Sequence, residues 1–174
     1  MIIATKRLLI RPFQNSDCSD LYDYLSRDEV VYYEPYQPIS YEEAIAETLK
    51  RMQNSAFHAV TLNNKVIGNL YLEKGDYDTW EFGYVFHNDY WGMGYAFESA
   101  QALIQQAFFQ FNARRIIACC NPLNEASWRL LEKLGFRREG TLIKNIYFNT
   151  NQQGDPIWQD TYEYGLLKEE WSYD

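Results

Sequence analysis

The chain has 174 residues, 47% of them hydrophobic and 17% aromatic, and a formal net charge of -8. That length suits one domain with a full core and not two, so residues 1–174 read as a single domain, and the apolar content excludes a disordered chain. The acidic balance disfavours direct nucleic-acid binding, which calls for a basic face, while it can attract a cationic amine.

No apolar run approaches the roughly 20 residues of a membrane span. The N-terminus lacks the basic-then-apolar layout of a signal peptide. Three cysteines fit neither a disulfide framework nor metal-ligand spacing. Cys119 and Cys120 read as core thiols, Cys18 as a helix residue, and a reducing cytoplasm as the compartment. His58 and His87 read as packing or loop residues, and no metal is expected.

In chain order, a first strand is predicted over about Arg7–Phe13. Ser16 or Asp17 can cap a helix whose inner face is Cys18, Leu21, Tyr22 and Leu25. Glu34 to Pro38 reads as a loop. Ser40, with Glu43 placed for a capping box, opens a second helix with an inward stripe of Ala44, Ile45, Thr48, Leu49 and Met52. Strands over about 57–62 and 66–73 flank Asn63-Asn64-Lys65, a hairpin turn. The fourth strand, about Trp80–Phe86, alternates Trp80, Phe82, Tyr84 and Phe86 on one face with Glu81, Gly83 and Val85 on the other.

A long helix over about 94–111 repeats Ala100, Leu103, Ile104, Ala107, Phe108 and Phe111 at helical spacing. A fifth strand spans about 115–120. A fourth helix over about 125–134 stops at Gly135, a C-cap glycine. Strands over about 141–149 and 157–168 close the chain around a turn at 150–155. Hairpin-linked early strands, then a helix between strands four and five, argue an α/β fold of the α+β type. Its sheet is mixed, mostly antiparallel and seven-stranded, with about four helices on its faces.

Between the fourth strand and the long helix lies Trp91-Gly92-Met93-Gly94-Tyr95-Ala96. Its glycines let backbone amides approach a ligand closely. Amides at a helix N-terminus suit a phosphate or pyrophosphate. The Gly-Lys-Ser/Thr ending of a P-loop is absent. A dinucleotide fingerprint is disfavoured, because Phe97 stands at its third glycine and the following strand carries no acid.

Four segments, in order, carry a resemblance: Thr5–Phe13, Asp89–Glu98, Asn121–Phe136 and Trp158–Trp171. Together they resemble the GNAT superfamily of N-acetyltransferases and, within it, the RimJ/RimL branch of ribosomal-protein N-terminal acetyltransferases. The resemblance implies that strands four and five splay apart and admit acetyl-CoA. Its pyrophosphate would lie on the amides of Trp91, Gly92, Met93, Gly94, Tyr95 and Ala96, with further cofactor contacts at Val85, Phe86, Asn124 and Ser127. It also implies a bulge in strand four that frees the Val85 N–H for the thioester carbonyl. Trp91 departs from the Gln or Arg that usually begins the loop. Leu131 stands where many members place a Tyr as general acid, so Ser127 becomes a candidate to protonate the departing thiolate.

Acetyl transfer to an amine needs a neutral nitrogen, a polarised carbonyl and alignment of the two. Glu81 is the first candidate base, and Glu98 the runner-up, with support of the helix dipole as its other role. Asn124 is also an ideal N-cap for the fourth helix. Tyr32, Tyr33 and Tyr36 cluster in the loop where relatives shape the acceptor pocket. No cysteine sits where a nucleophile is needed, so the expectation is direct transfer to a primary amine. A peptide N-terminus is the first expectation. A small amine (polyamine, amino acid or antibiotic) and a non-catalytic acyl-CoA sensor are the alternatives, and a homodimer is allowed for.

Overall fold

The computed structural model describes residues 1–172. Its strands are β1 (Ile3–Ala4), β2 (Leu9–Arg11), β3 (Phe57–Leu62), β4 (Lys65–Lys74), β5 (Thr79–Phe86), β6 (Arg115–Cys120), β7 (Arg137–Thr150) and β8 (Pro156–Leu167). They form one sheet in the order β1-β2-β3-β4-β5-β6-β8-β7. The helices are α1 (Cys18–Leu25), α2 (Asp28–Val31), α3 (Tyr41–Gln53), α4 (Tyr95–Phe109) and α5 (Glu125–Lys133).

Neighbouring strands are antiparallel except β5 and β6. Those two run parallel because α4 carries the chain back between them. Their ladder covers only Thr79↔Arg115, Trp80↔Ile116 and Glu81↔Ile117. Beyond it β5 keeps β4 as partner while β6 keeps β8, and the sheet opens into the expected splay.

Alternation along β5 feeds two cores. Phe82 and Phe86 pack with Leu103, Ile104, Phe108, Ile116 and Leu131 under α4 and α5. Val85, on the other face, packs with Phe13, Leu21, Tyr24, Leu25 and Val31 under α1 and α2. Each buried side chain of this size contributes roughly 1.5–3 kcal/mol of transfer free energy.

Several expectations are corrected. The sheet has eight strands rather than seven, because the two-residue β1 is too short to show alternation. There are five helices rather than four, because α2 is a four-residue turn with no room for a periodic stripe. The first long strand shrinks to Leu9–Arg11, since Pro12 has no N–H for the ladder. Asn63 and Asn64 make the hairpin turn with φ of 50° and 67°. Ser40 and Glu43 form the capping box, and Gly135 ends α5 with φ 89°.

The helix faces also differ. Tyr22 is outward on α1, and Tyr24 is buried in its place. On α3, Ile45, Leu49 and Met52 are 44%, 45% and 41% exposed, while Ala44, Thr48 and Arg51 point inward. Arg51 tolerates burial because its polar atoms are satisfied. It donates to Glu47 at 2.8 Å, to Asn69 at 2.9 Å and to the Tyr24 hydroxyl at 3.4 Å, and its guanidinium lies over the Phe57 ring. A polarity-based stripe counts such an arginine as outward.

Candidate active site

The chain leaves β5 at Phe86 and turns on His87, which is 1% exposed. His87 Nδ1 accepts the Asp89 N–H at 3.1 Å, so Nε2 carries the proton toward Asp23, also at 3.1 Å. Burial opposes the charge on Asp23, but Lys65, Arg27 and His87 outweigh it and hold the carboxyl down at about 2. The Trp91 indole N–H then donates to the Phe86 carbonyl at 2.8 Å. That bond closes the turn and gives this unusual loop residue a structural role.

Gly92 and Gly94 have φ of 73° and 79°, a left-handed region costly for residues with a Cβ. A Cβ on Gly92 would meet nothing within 4 Å, so the need there is conformational. Arg7 secures the far side of the loop. It donates from Nη1 to the Met93 carbonyl at 3.0 Å, from Nε to Glu98 at 2.6 Å, and lies 4.4 Å over the Tyr95 ring. Glu98 also accepts from Thr5 and from the Arg7 N–H. It is committed to this latch and borders none of the cavities below, which removes it as a base.

The first backbone bond of α4 runs from Glu98 N–H to Gly94 C=O at 3.0 Å. Among the described residues, the amides of Tyr95, Ala96 and Phe97 have no backbone acceptor. Free amides, two left-handed glycines and a neighbouring arginine fit a pyrophosphate.

The β4–β5 register is unbroken from Lys74↔Trp80 to Gly68↔Phe86, so β5 has no bulge against β4. The His87 N–H bond to the Ile67 carbonyl fixes the phase of the ladder. Antiparallel alternation then turns the Val85 N–H toward β4 and the amides of Tyr84 and Phe86 toward the gap. The expected free amide therefore shifts by one residue. No bulge is needed, because the departure of β6 itself leaves that edge unpaired.

Tyr84 spans the gap. Its hydroxyl donates to the Ser127 carbonyl at 2.9 Å and shares a hydrogen bond with Ser127 Oγ at 2.9 Å. Asn124 Oδ1 accepts the Ser127 N–H at 3.2 Å, the capping role read from sequence. Leu131 is fully buried at the back of the gap.

Four openings meet here. An inner cavity of about 320 Å³ is bordered by Glu34, Glu81, Gly83, Tyr84, Cys119 and Ser127. A cavity of about 550 Å³ on the α4 side is bordered by Tyr33, Val85, Phe86, Trp91, Gly92 and Asn124. One groove of about 700 Å³ runs between Tyr32, Tyr33, Tyr36 and the β7–β8 hairpin residues Ile157 and Trp158. A second, of about 690 Å³, runs under α3 past Tyr36, Tyr71 and Glu81. The Tyr33 hydroxyl donates to the Leu123 carbonyl at 3.1 Å, tying this loop to the start of α5.

The site thus brings together Glu81, Val85, Phe86, Trp91, Gly92, Asn124, Ser127, Tyr32, Tyr33 and Tyr36. Met93, Gly94, Tyr95 and Ala96 continue from it along the loop into α4. Glu34 and Tyr84 were missed. In the sequence Tyr84 reads as one member of an aromatic stripe, and Glu34 as a loop residue with no periodicity to mark it. Cys119 and Cys120 are not core thiols: Cys119 is exposed and Cys120 half-buried. They line the opening because β6 has lost β5 at their level. Burial raises both thiols, Cys120 to about 11, which leaves them poor nucleophiles. No cluster of three or more metal-ligating side chains occurs among the described residues.

Residues 7–137 match the acetyltransferase (GNAT) domain family. The chain belongs to the GNAT acetyltransferases. It is 39% identical over 177 residues to the uncharacterized N-acetyltransferase YnaD of Bacillus subtilis, covering 99% of this chain and 100% of that one. The crystal structure of a GNAT-family acetyltransferase from Bacillus anthracis superposes with a TM-score of 0.89 at 36% identity, covering 98% of this chain and 100% of that one. A spermidine N-acetyltransferase from Vibrio cholerae, solved with CoA and spermine, shares the fold with a TM-score of 0.78 at 20% identity, over 94% of this chain and 97% of that one. This GNAT acetyltransferase is therefore an acyltransferase of a fold that uses acetyl-CoA.

Proposed function

We propose that this enzyme transfers acetyl directly to the primary amine of a peptide N-terminus, as a RimJ/RimL-type acetyltransferase of the cytoplasm. The observation that carries the reading is the run of shared walls from Trp91 and Gly92 of the glycine loop, through the β5–β6 gap, to a groove lined by Tyr33, Tyr36 and Trp158. Acetyl-CoA supplies the activated thioester.

The amides of residues 91–96 hold its pyrophosphate, with Arg7 keeping the loop in shape. The amides of Tyr84 and Phe86 face the gap, where they can polarise a carbonyl. The Ser127 hydroxyl, backed by Tyr84, can protonate the departing thiolate. The carboxylates of Glu34 and Glu81 border the acceptor side and attract an ammonium.

A small polyamine is the second reading, because the groove under α3 is bordered by Glu34, Glu43, Glu47 and Glu81. Glu43 is committed to its capping box and Glu47 to Arg51 and Lys50. That leaves only two carboxylates for a polycation, whereas the aromatic groove suits a peptide.

The test is mass spectrometry of a free N-terminal peptide, its N-blocked form and spermidine after incubation with acetyl-CoA, alongside calorimetry of cofactor binding. Acetylation of the free peptide alone is expected. Acetylation of spermidine alone would overturn the peptide reading, and binding without turnover of any amine would leave an acyl-CoA sensor.

A further inference from the structure

We infer that Glu34 is the catalytic base of this enzyme, the group that takes the proton from the acceptor amine; the inference rests on the acetyltransferase reading above and deepens it. Glu34 borders the inner cavity, the α4-side cavity and both grooves. Glu81 is exposed and borders only the inner cavity and the groove under α3. A base has to sit where the nitrogen meets the thioester, and Glu34 is the carboxylate at that junction.

The backbone holds it there. The Glu34 N–H donates to the Val31 carbonyl at 2.8 Å, closing α2, and Pro35 follows. Tyr33 is tied to Leu123 on one side, and the Ile39 N–H to the Leu25 carbonyl at 3.2 Å on the other.

The Glu34 carboxylate meets the Tyr36 hydroxyl of its own loop and makes no other side-chain hydrogen bond among the described residues. No ion pair among the described residues involves it. Arg51, whose charge it feels, spends its hydrogen bonds on Glu47, Asn69 and Tyr24. Burial pushes the Glu34 carboxyl up to about 7, against a smaller opposing pull from the Tyr36 hydroxyl and the Arg51 charge. A base with its pKa near the working pH is efficient.

The step balances simply. Glu34 takes one proton from the acceptor ammonium. The freed nitrogen pair forms the N–C bond to the acetyl carbonyl carbon, and the C–S bond breaks with its electron pair going to sulfur. The nitrogen loses its second proton, and the thiolate gains one by way of Ser127. Glu34 returns its proton to solvent through the open groove.

The titratable and charged groups that share these openings with Glu34 are Tyr32, Tyr33 and Tyr36 on its own segment, Asp28 and Glu29 on α2, Glu43, Glu47, Lys50 and Arg51 on α3, Tyr71 on β4, Glu81 and Tyr84 on β5, Cys119 and Cys120 on β6, Glu125 on α5, and Lys144 and Asp160 on the hairpin. Burial pushes Tyr36, Tyr71, Tyr84, Cys119 and Cys120 upward, away from neutrality.

The test is kcat/KM from pH 6 to 9.5 with an N-terminal peptide, for wild type, Glu34→Gln, Glu34→Asp and Glu81→Gln. Glu34→Gln should lose about 10²–10⁴-fold at pH 7. The deficit should shrink about tenfold by pH 9.5, because an α-amine of pKa about 8 then sheds its own proton. Glu81→Gln, which removes a carboxylate that attracts the ammonium, should lower kcat/KM by a constant factor and leave the acid limb where wild type has it. An alkoxyamine acceptor, already neutral at pH 7, should be acetylated by Glu34→Gln almost as well as by wild type. A Glu34→Gln deficit that is absent, or constant with pH, would overturn the inference. Should Glu34→Gln fail to fold, Glu34→Asp decides: its acid limb must move from that of wild type, and an unmoved limb overturns the role. Wild type that binds acetyl-CoA but acetylates no amine would overturn the acetyltransferase reading itself. Active wild type with an unimpaired Glu34→Gln would remove only Glu34.

Discussion

The Tyr84 hydroxyl lies 2.9 Å from Ser127 Oγ, joining β5 to α5 across the gap where the two halves of the sheet part. Among the described residues, no other side chain of β5 hydrogen-bonds to α5. Ser127→Ala should therefore lower kcat by roughly 100-fold, the low end of acid–base contributions, and leave acetyl-CoA affinity within about twofold. Tyr84→Phe should lower kcat less, since the serine hydroxyl remains. Steady-state kinetics at saturating acetyl-CoA checks both, and a Ser127→Ala enzyme with wild-type kcat would take the serine out of thiolate protonation.

The cofactor loop depends on a residue far away in sequence. Arg7 holds both the Met93 carbonyl and Glu98. Arg7→Ala frees the loop and leaves the Glu98 carboxylate without its cation, so acetyl-CoA should bind about tenfold more weakly, a loss of about 1.4 kcal/mol. Gly94→Glu should abolish binding. Its backbone would be strained at φ 79°, and a negative charge would stand beside the pyrophosphate. Ligand-induced stabilisation, RT ln(1 + [L]/Kd) for a native-only ligand, should shrink in the first variant and vanish in the second. Calorimetry that finds undiminished affinity in Gly94→Glu would refute the loop assignment.

Gly83 borders the inner cavity and the groove under α3 but not the α4-side cavity. A Cβ there would sit 3.8 Å from Tyr71 Cβ, an ordinary contact, so the strand tolerates a side chain. A larger one would project into the inner cavity and the groove under α3. Gly83→Leu should raise the acceptor KM at least about tenfold, the scale of a lost pocket contact, with acetyl-CoA affinity retained. Equal losses for both substrates would mean that the two cavities are not divided as described.

How much of this was legible in the sequence follows from what each signal encodes. Period two in residues 80–86 and helical period over about 94–111 mark β5 and α4, which the structure bounds at Thr79–Phe86 and Tyr95–Phe109, and the glycines between them mark the loop. Asn124 and Ser40 were legible as caps because capping is local chemistry. The parity of the β4–β5 register was not legible, and it alone decides whether Val85 or its neighbours offer a free amide. Nothing local marks Arg51 as inward, because its partners, Asn69 and Tyr24, come from other elements. The exposure of Cys119 depends on where β6 parts from β5. Glu34 offered no periodicity, and its role rests on four openings that exist only once the chain has folded.

The aromatic wall should show in acceptor kinetics. Tyr33 and Tyr36 border the groove beside the β7–β8 hairpin, and Tyr33 also anchors the loop to Leu123. Tyr33→Ala with Tyr36→Ala should raise the peptide KM about tenfold or more, on top of any loss of kcat, shared by a small amine, from loosening the loop that carries Glu34. Peptide turnover should be only mildly sensitive to salt, whereas a polyamine held by carboxylates would lose turnover steeply. A double variant that still acetylates peptide with the wild-type KM would place the peptide elsewhere.

The last prediction concerns what Glu34 costs the fold. Burial raises its carboxyl from 4.5 to about 7 in the folded protein, so the folded state holds the proton more tightly than the unfolded one. Below pH 4.5 the group is protonated in both states and has no effect. Between 4.5 and 7 the unfolded chain ionises first, and stability falls with rising pH. Above 7 both are ionised and the full penalty stays. Replacing it by the neutral amide removes that penalty, so Glu34→Gln should be more stable than wild type at pH 8, by up to about 3 kcal/mol for a rise from 4.5 to about 7 at 1.36 kcal/mol per pKa unit. The advantage should fade toward pH 4.5. Denaturant melts of both proteins across this range check it. A variant less stable than wild type at pH 8 would show that the carboxylate supports the fold, and that its placement at the junction serves packing rather than proton transfer.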